Sequence, residues 1–174
     1  MRRRPRTLVT ATHGFTLLEV LVATTLLFVA VASLAGLSVM ATQANAQAKT
    51  TTFAALLAAW KIEELRSLPW GYDALGNPRS DAGLATSPSD ALEQNTSGYC
   101  DFLDASGVSL GGGVSPPAQT VFVRRWSIQP LPSNPANALV FQVVVRRLRS
   151  GTTGAAVVFT DEAALATVRT RTGT

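Results

Sequence analysis

The chain has 174 residues, the length of one domain plus an appended segment. Apolar residues make up 47% and charged residues only 15% of it, well below the roughly 25% charged residues of soluble domains, which excludes both a disordered chain and a typical soluble globule. A single cysteine, Cys100, and a single histidine, His13, exclude an internal disulfide and a Cys-rich zinc site and disfavour a Ser-His-Asp triad. The net charge of +4 belongs to four arginines among the first six residues, because basic and acidic side chains balance at 11 each from residue 15 onward.

A long apolar helix is the first predicted element. Residues 20–48 contain no charged side chain, and about 20 apolar residues in a helix cross a bilayer. The arginines before it predict a cytoplasmic N-terminus under the positive-inside rule. A secretory signal peptide remains an alternative, because residues 44–48 contain two small-x-small patterns, although the usual apolar region of a signal is only ~7–15 residues long.

Glu19 lies just inside this apolar segment, between Leu18 and Val20. An ionised carboxylate in hydrocarbon costs several kcal/mol at the centre of a membrane helix and less near its end. Neither a plain membrane anchor nor a signal peptide gains from this cost. Glu19 is therefore a candidate functional residue.

Residues 14–23, Gly-Phe-Thr-Leu-Leu-Glu-Val-Leu-Val-Ala, resemble the N-terminal processing motif of type IV pilins and their relatives. The resemblance implies that a prepilin peptidase cuts between Gly14 and Phe15 and that the new amine of Phe15 is methylated. It also implies that the apolar helix is retained as an anchor and as part of a filament core. Glu19, one helical turn from Phe15, would face that positive amine on its own or a neighbouring subunit during assembly.

The helix is predicted to continue over residues 43–68 and to end before Pro69. Its apolar side chains recur at helical spacing, which predicts a stripe packed on a sheet; these are Phe53, Leu56, Leu57 and Trp60. The opposite side is predicted to carry Lys61, Glu63, Glu64 and Arg66.

Residues 70–117 are predicted to be irregular, since they are rich in glycine and proline. Between residues 73 and 104 the net charge is −5. These acids could form a calcium loop or a solvated loop, and the lack of EF-hand spacing favours the solvated loop. The glycine triplet 111–113 lacks the Lys-Ser/Thr of a phosphate-binding loop. Asn95-Thr96-Ser97 matches a glycosylation sequon, and Cys100 is predicted to be a partly buried thiol.

The last third predicts antiparallel strands over residues 120–128 and 139–148, then two shorter ones over 156–159 and 165–171. We expect a bulge or a register change near Arg124 and Arg125, a loop over 150–154, and a turn at Asp161 and Glu162. Seven arginines in this third give a net charge of +5. The favoured interpretation is exposed arginines that protect strand edges; a basic patch for an acidic neighbour or for nucleic acid is the alternative.

Together these features predict an α+β, pilin-like fold, with one long N-terminal helix on an antiparallel sheet of three or four strands. Its expected parts are a leader peptide (1–14), a transmembrane and filament-core helix (15–42), and a periplasmic domain (43–174) that begins with the amphipathic helix half (43–68).

The resemblance implies a minor pilin of the PilV type, a structural subunit at the base or tip of a type IV pilus-like filament. A minor pseudopilin of type II secretion and a DNA-binding minor pilin of an uptake system are the alternatives. The first expected partner is the prepilin peptidase, an enzyme that also methylates the new amine. The chain is further expected to bind other pilins through the N-terminal helix and to contact the lipid of a bacterial inner membrane. Nucleic acid is possible as a partner but is the least expected. No enzymatic activity, cofactor or metal is expected.

Overall fold

The computed structural model describes residue 14, residues 16–149 and residues 158–171. The chain forms two compact units, residues 1–46 and residues 47–174. Helix α1, Leu17–Ser67, begins in the first unit and ends in the second. This confirms the predicted long helix and its end before Pro69.

Every described residue of the first unit is exposed, including its large apolar side chains. By length and composition, α1 qualifies as one membrane-spanning helix. Its hydroxyl groups donate back to carbonyls of the preceding turn, for example Thr25 to Val22 O at 2.8 Å and Ser33 to Val29 O at 2.8 Å. Because these polar groups are satisfied within the helix, they add little to the cost of an apolar environment.

The second unit contains two antiparallel sheets in addition to the C-terminal part of α1. A short hairpin pairs β1 (Trp70–Tyr72) with β2 (Pro78–Ser80). The main sheet has the order β4-β3-β5-β6-β7. Its strands are β3 (Cys100–Leu103), β4 (Ser109–Gly111), β5 (Phe122–Pro130), β6 (Ala138–Arg149) and β7 (Val158–Thr170).

The α+β class is confirmed, but the main sheet has five strands instead of the three or four predicted. The additional strands, β3 and β4, lie in the segment predicted to be irregular. The residue that follows β4, Gly112, has a packing role. A Cβ atom at Gly112 would lie 2.6 Å from the carbonyl oxygen of Cys100, so only glycine lets the chain approach β3 this closely.

Neither the predicted bulge nor a register change occurs at Arg124 and Arg125, because β5 pairs without interruption with both β3 and β6. The two arginines disturb the apolar alternation for another reason: seven consecutive residues of β5, 122–128, are buried on both faces. One face lies under α1. The other is covered by the segment before β3, where Ser87 donates its N–H to Ile128 O at 3.0 Å.

Asp161 and Glu162 do not form the predicted turn, since they lie inside the single strand β7. The pairing passes from Ala163 opposite Val145 to Asp161 opposite Arg146, so Glu162 is the extra residue of a bulge. The polar pair therefore marks a local irregularity in one long strand. The predicted loop 150–154 lies outside the described residues.

The buried face of α1 is rotated from the predicted stripe. Trp60 is 57% exposed and Leu56 48% exposed, whereas Ala54, Leu57 and Ala58 are completely buried. Alanines bring the helix backbone close to the sheet, so small side chains define the contact face. A Cβ atom at Gly107 would lie 2.8 Å from Leu57 Cδ2, which shows the same close approach.

Lys61 also faces the sheet, contrary to the prediction that it lies on the opposite side. Its Nζ lies 3.9 Å from the centre of the Trp126 ring and 2.7 Å from Glu64 Oε1. The aromatic face and the carboxylate both stabilise the ammonium, and the side-chain stem covers apolar surface.

The prediction of exposed edge arginines is wrong for Arg124 and Arg125, which are both buried. Arg124 forms two hydrogen bonds to Asp101, at 3.0 and 2.6 Å, and a third to the carbonyl of Leu57 at 2.9 Å. Arg125 donates to Asn95 Oδ1 and to the carbonyls of Leu92 and Glu93. These arginines connect elements inside the domain.

Arg169 and Arg171 act similarly at the other end of the sheet. Arg169 donates to the carbonyl of Leu65 at 3.2 Å. The guanidinium of Arg171 lies 4.5 Å from the centre of the Trp70 ring and donates to the carbonyls of Gly71 and Arg79. The C-terminal end of β7 is thereby tied to the end of α1 and to the β1–β2 hairpin.

We predict that a fragment of residues 41–174 is water-soluble and folded, because the long apolar surface lies before Thr42 and the second unit begins at Gln47. Its circular dichroism should show both helix and sheet. An unfolded fragment would contradict an independent C-terminal domain.

In that fragment, Arg124→Met should lower the free energy of unfolding by about 3–5 kcal/mol, because it leaves the buried Asp101 without its cation. The double variant with Asp101→Leu should recover most of the loss. The matched control Arg79→Met, at an exposed site, should change stability by less than about 0.5 kcal/mol. Urea denaturation measures all three, and equal effects at positions 124 and 79 would show that the buried pair is dispensable.

Candidate processing and assembly site at the helix start

The first turn of α1 is capped by Thr16. Its Oγ1 accepts a hydrogen bond from the N–H of Glu19 at 3.2 Å, and its carbonyl accepts the N–H of Val20 at 3.2 Å. Thr16-Leu17-Leu18-Glu19 thus has the Thr-x-x-Glu pattern of a capping box. Sequence reasoning missed this role of Thr16, although the spacing was there to be recognised.

Glu19 lies in the first turn of α1 and is exposed. At this position a carboxylate interacts favourably with the positive end of the helix dipole. Below it, Val20, Ala23, Thr24 and Leu27 line a shallow, mostly apolar groove on the helix surface. A carboxylate at the head of an apolar facet can bind a cation presented by another chain that packs on the same facet.

Gly14 is exposed, and an added Cβ atom would meet no atom within 4 Å. The fold therefore gives no steric reason for glycine here, and a requirement for glycine would have to come from a molecule that handles this segment. Phe15, the predicted residue of cleavage and methylation, lies outside the described residues.

The acidic segment does not gather its carboxylates. Asp73 and Asp104 each accept hydrogen bonds from the backbone within their own turns, and Asp101 is paired with Arg124. Hydrogen bonds from Asn77 lower the pKa of Asp73, and those from Ser106 and Val108 lower that of Asp104. No group of three His, Cys, Asp or Glu side chains that could hold a metal is found in the described part of the chain.

Two other sequence features also have structural roles. Cys100, whose thiol was predicted to be partly buried, is only 2% exposed, and the thiol donates to the carbonyl of Gly113 at 3.0 Å. Asn95 of the sequon accepts from Arg125 and donates through Nδ2 to Val114 O at 2.9 Å. The amide nitrogen that glycosylation would modify is thus engaged within the fold.

No family model, curated protein or solved structure matches this chain.

Proposed function

We propose that this chain is a minor pilin or pseudopilin, a structural subunit that is trimmed before Phe15 and then enters a type IV pilus-like filament. One observation carries the proposal. The first 30 residues of α1, 17–46, are exposed on every side and strongly apolar, yet they carry an acid in the first turn. A helix of this kind needs an apolar environment and a cation, and a bundle of identical processed helices supplies both.

The role of Glu19 follows from electrostatics. In a membrane, a carboxylate near the start of the helix can stay at the hydrated interface. In an assembled bundle, its natural partner is the positive amine of Phe15 on a neighbouring subunit. Opposite charges about 4 Å apart gain roughly 4 kcal/mol at an effective dielectric constant of 20, before desolvation is subtracted. This attraction would set the register of an incoming subunit.

The proposed partners are therefore a prepilin peptidase that also methylates, bacterial inner-membrane lipid, and other pilins along α1. The chain would span that membrane once, with the second unit in the periplasm, before it joins a pilus or pseudopilus. The alternative most similar to this proposal is that the chain is a minor pseudopilin of a type II secretion system. The DNA-binding alternative loses support, because Arg124, Arg125, Arg169 and Arg171 are used inside the fold.

The proposal predicts that mature protein begins at Phe15 and carries a methylated amine. The measurement is mass spectrometry of the N-terminal peptide from membranes of the native host. A start at Gln47, Ala48 or Lys49 would instead identify ordinary signal peptidase and would contradict the pilin proposal.

A second prediction separates the proposed assembly role of the Glu19 charge from the place of Glu19 in the Thr-x-x-Glu pattern. Glu19→Gln keeps a side chain that completes a capping box but removes the charge, so it should insert and be cleaved normally yet enter filaments poorly. Glu19→Ala should behave similarly, and Glu19→Asp should retain partial incorporation. Incorporation is measured as the amount that co-purifies with sheared filaments at equal membrane levels.

Thr16→Ala is the matched control, because it removes the cap, at a cost of ~1 kcal/mol, and leaves the charge of Glu19. It should be incorporated far better than Glu19→Gln. If Glu19→Gln is incorporated like the wild type, the charge has no assembly role; if Thr16→Ala fails equally, the first turn matters more than the charge.

A further inference from the structure

A groove runs along one side of α1 from Glu19 toward the C-terminus. Its lining residues recur at helical spacing and are Glu19, Val20, Ala23, Thr24 and Leu27. The groove has a volume of about 450 Å³, and it exists because the small residues Ala23 and Thr24 lie between larger ones. A cavity of roughly 150 Å³ holds one benzene ring, so the groove has room for an aromatic side chain and for part of the chain that carries it.

One polar group of the groove lacks a partner within the described chain. Thr24 donates its hydroxyl to the carbonyl of Leu21 at 3.0 Å, so this hydroxyl is satisfied inside the helix. The backbone N–H of Glu19 donates to Thr16, but the Glu19 carboxylate forms no hydrogen bond or ion pair with another described residue. An occupant that suits the groove therefore brings a cation to its head and an apolar group to its floor.

The sequence of the chain restricts which cation a second copy can bring there. Glu19 is the only charged residue between residues 16 and 48, and Lys49 is 30 residues from it, about 45 Å along a helix. Once the leader is removed, the positive group at this end of a second copy is the amine of its Phe15. That residue carries an amine and a phenyl ring on the same Cα atom, which is the combination that the groove suits.

We propose that the groove is a seat for the N-terminal residue of a second processed copy, with the Phe15 amine at the Glu19 carboxylate and the phenyl ring against Ala23 and Thr24. The inference rests on the proposed function, because the amine exists only after cleavage before Phe15. It adds a selection for the side chain of residue 15 to the electrostatic role of Glu19. Since lipid is as apolar as the groove, the close fit of the ring on small residues provides this selection.

The seat requires neighbouring copies to be staggered. The floor of the groove begins six residues into α1, about 9 Å beyond Leu17, whereas Phe15 of the same chain precedes the helix. A second copy shifted by four residues, about 6 Å, brings its amine level with Glu19. A shift of eight residues, about 12 Å, brings residue 15 level with Ala23. We therefore expect a stagger between about 6 and 12 Å.

A contact of this kind is open-ended. It joins two different surfaces, the groove of one copy and the first residue of another, so it is heterologous. Each copy in the contact still has either a groove or a first residue to offer to a further neighbour. Because every step adds the same axial stagger, repetition cannot close into a ring and extends a filament.

The first test is site-specific photo-crosslinking of the full chain in membranes and sheared filaments of its native host. A benzophenone side chain replaces Leu27, at the foot of the groove. In a matched control it replaces Val29, which is also exposed but lies about 200° farther around the helix. We expect Leu27 to give an adduct of two copies whose cross-link maps to Phe15 by mass spectrometry, and Val29 to give no cross-link to Phe15. No adduct at Leu27, or one that lacks the N-terminal residue of a second copy, would overturn the proposal.

The second test exchanges size between the two sides of the contact. Ala23→Leu fills the groove and should lower the amount in sheared filaments at least tenfold at equal membrane levels. The same change at Ala32, on the opposite side of the helix, should leave this amount within threefold. Adding Phe15→Ala to Ala23→Leu should restore at least half of the wild-type amount.

Wild-type incorporation of the Ala23→Leu chain, equal losses at positions 23 and 32, or no rescue by a cleaved Phe15→Ala chain would each contradict the seat. If Phe15→Ala prevents cleavage, the Leu27 adduct, which retains Phe15, decides. The mass of the N-terminal peptide from the same samples separates this inference from the proposed function. Mature protein that starts at Phe15 but gives no Leu27 adduct overturns the seat alone, whereas a start elsewhere overturns both.

Discussion

A buried guanidinium organises the C-terminal domain. Arg124 must satisfy its N–H groups out of water, since an unpaired buried charge costs several kcal/mol, and it does so on Asp101 of β3 and the carbonyl of Leu57 in α1. These contacts join three elements that are distant in sequence. They fix which face of α1 meets the sheet, which explains why Ala54 and Ala58 are buried and Trp60 is exposed. Arg169, bonded to Leu65 O, holds the same helix farther along.

The sequence was most informative where one physical effect dominated. The length of α1, its end before Pro69 and the positions of β5 and β6 follow from apolar runs and a helix breaker. Prediction failed where two effects overlapped. Strand β5 is buried on both faces and includes Arg124. Its sequence therefore lacks the regular apolar–polar alternation of a half-buried strand, and this interruption was interpreted as a bulge. Strand β4 lies in a glycine-rich segment that ordinarily indicates a loop, and Gly112, directly after the strand, is there because only glycine tolerates the close backbone of Cys100.

The helix start was predictable from its motif, but its chemistry is richer than the motif suggests. Glu19 is both the acid of an apolar helix and the residue whose backbone N–H donates to the cap Thr16 in a Thr-x-x-Glu pattern. The cap acts within one chain, and so does the favourable interaction of the charge with the helix dipole, whereas pairing of the charge with a cation of another subunit acts between chains. A neutral side chain that can still hydrogen-bond keeps the capping pattern and removes the charge, so its comparison with Thr16→Ala separates the cap from the effects of the charge.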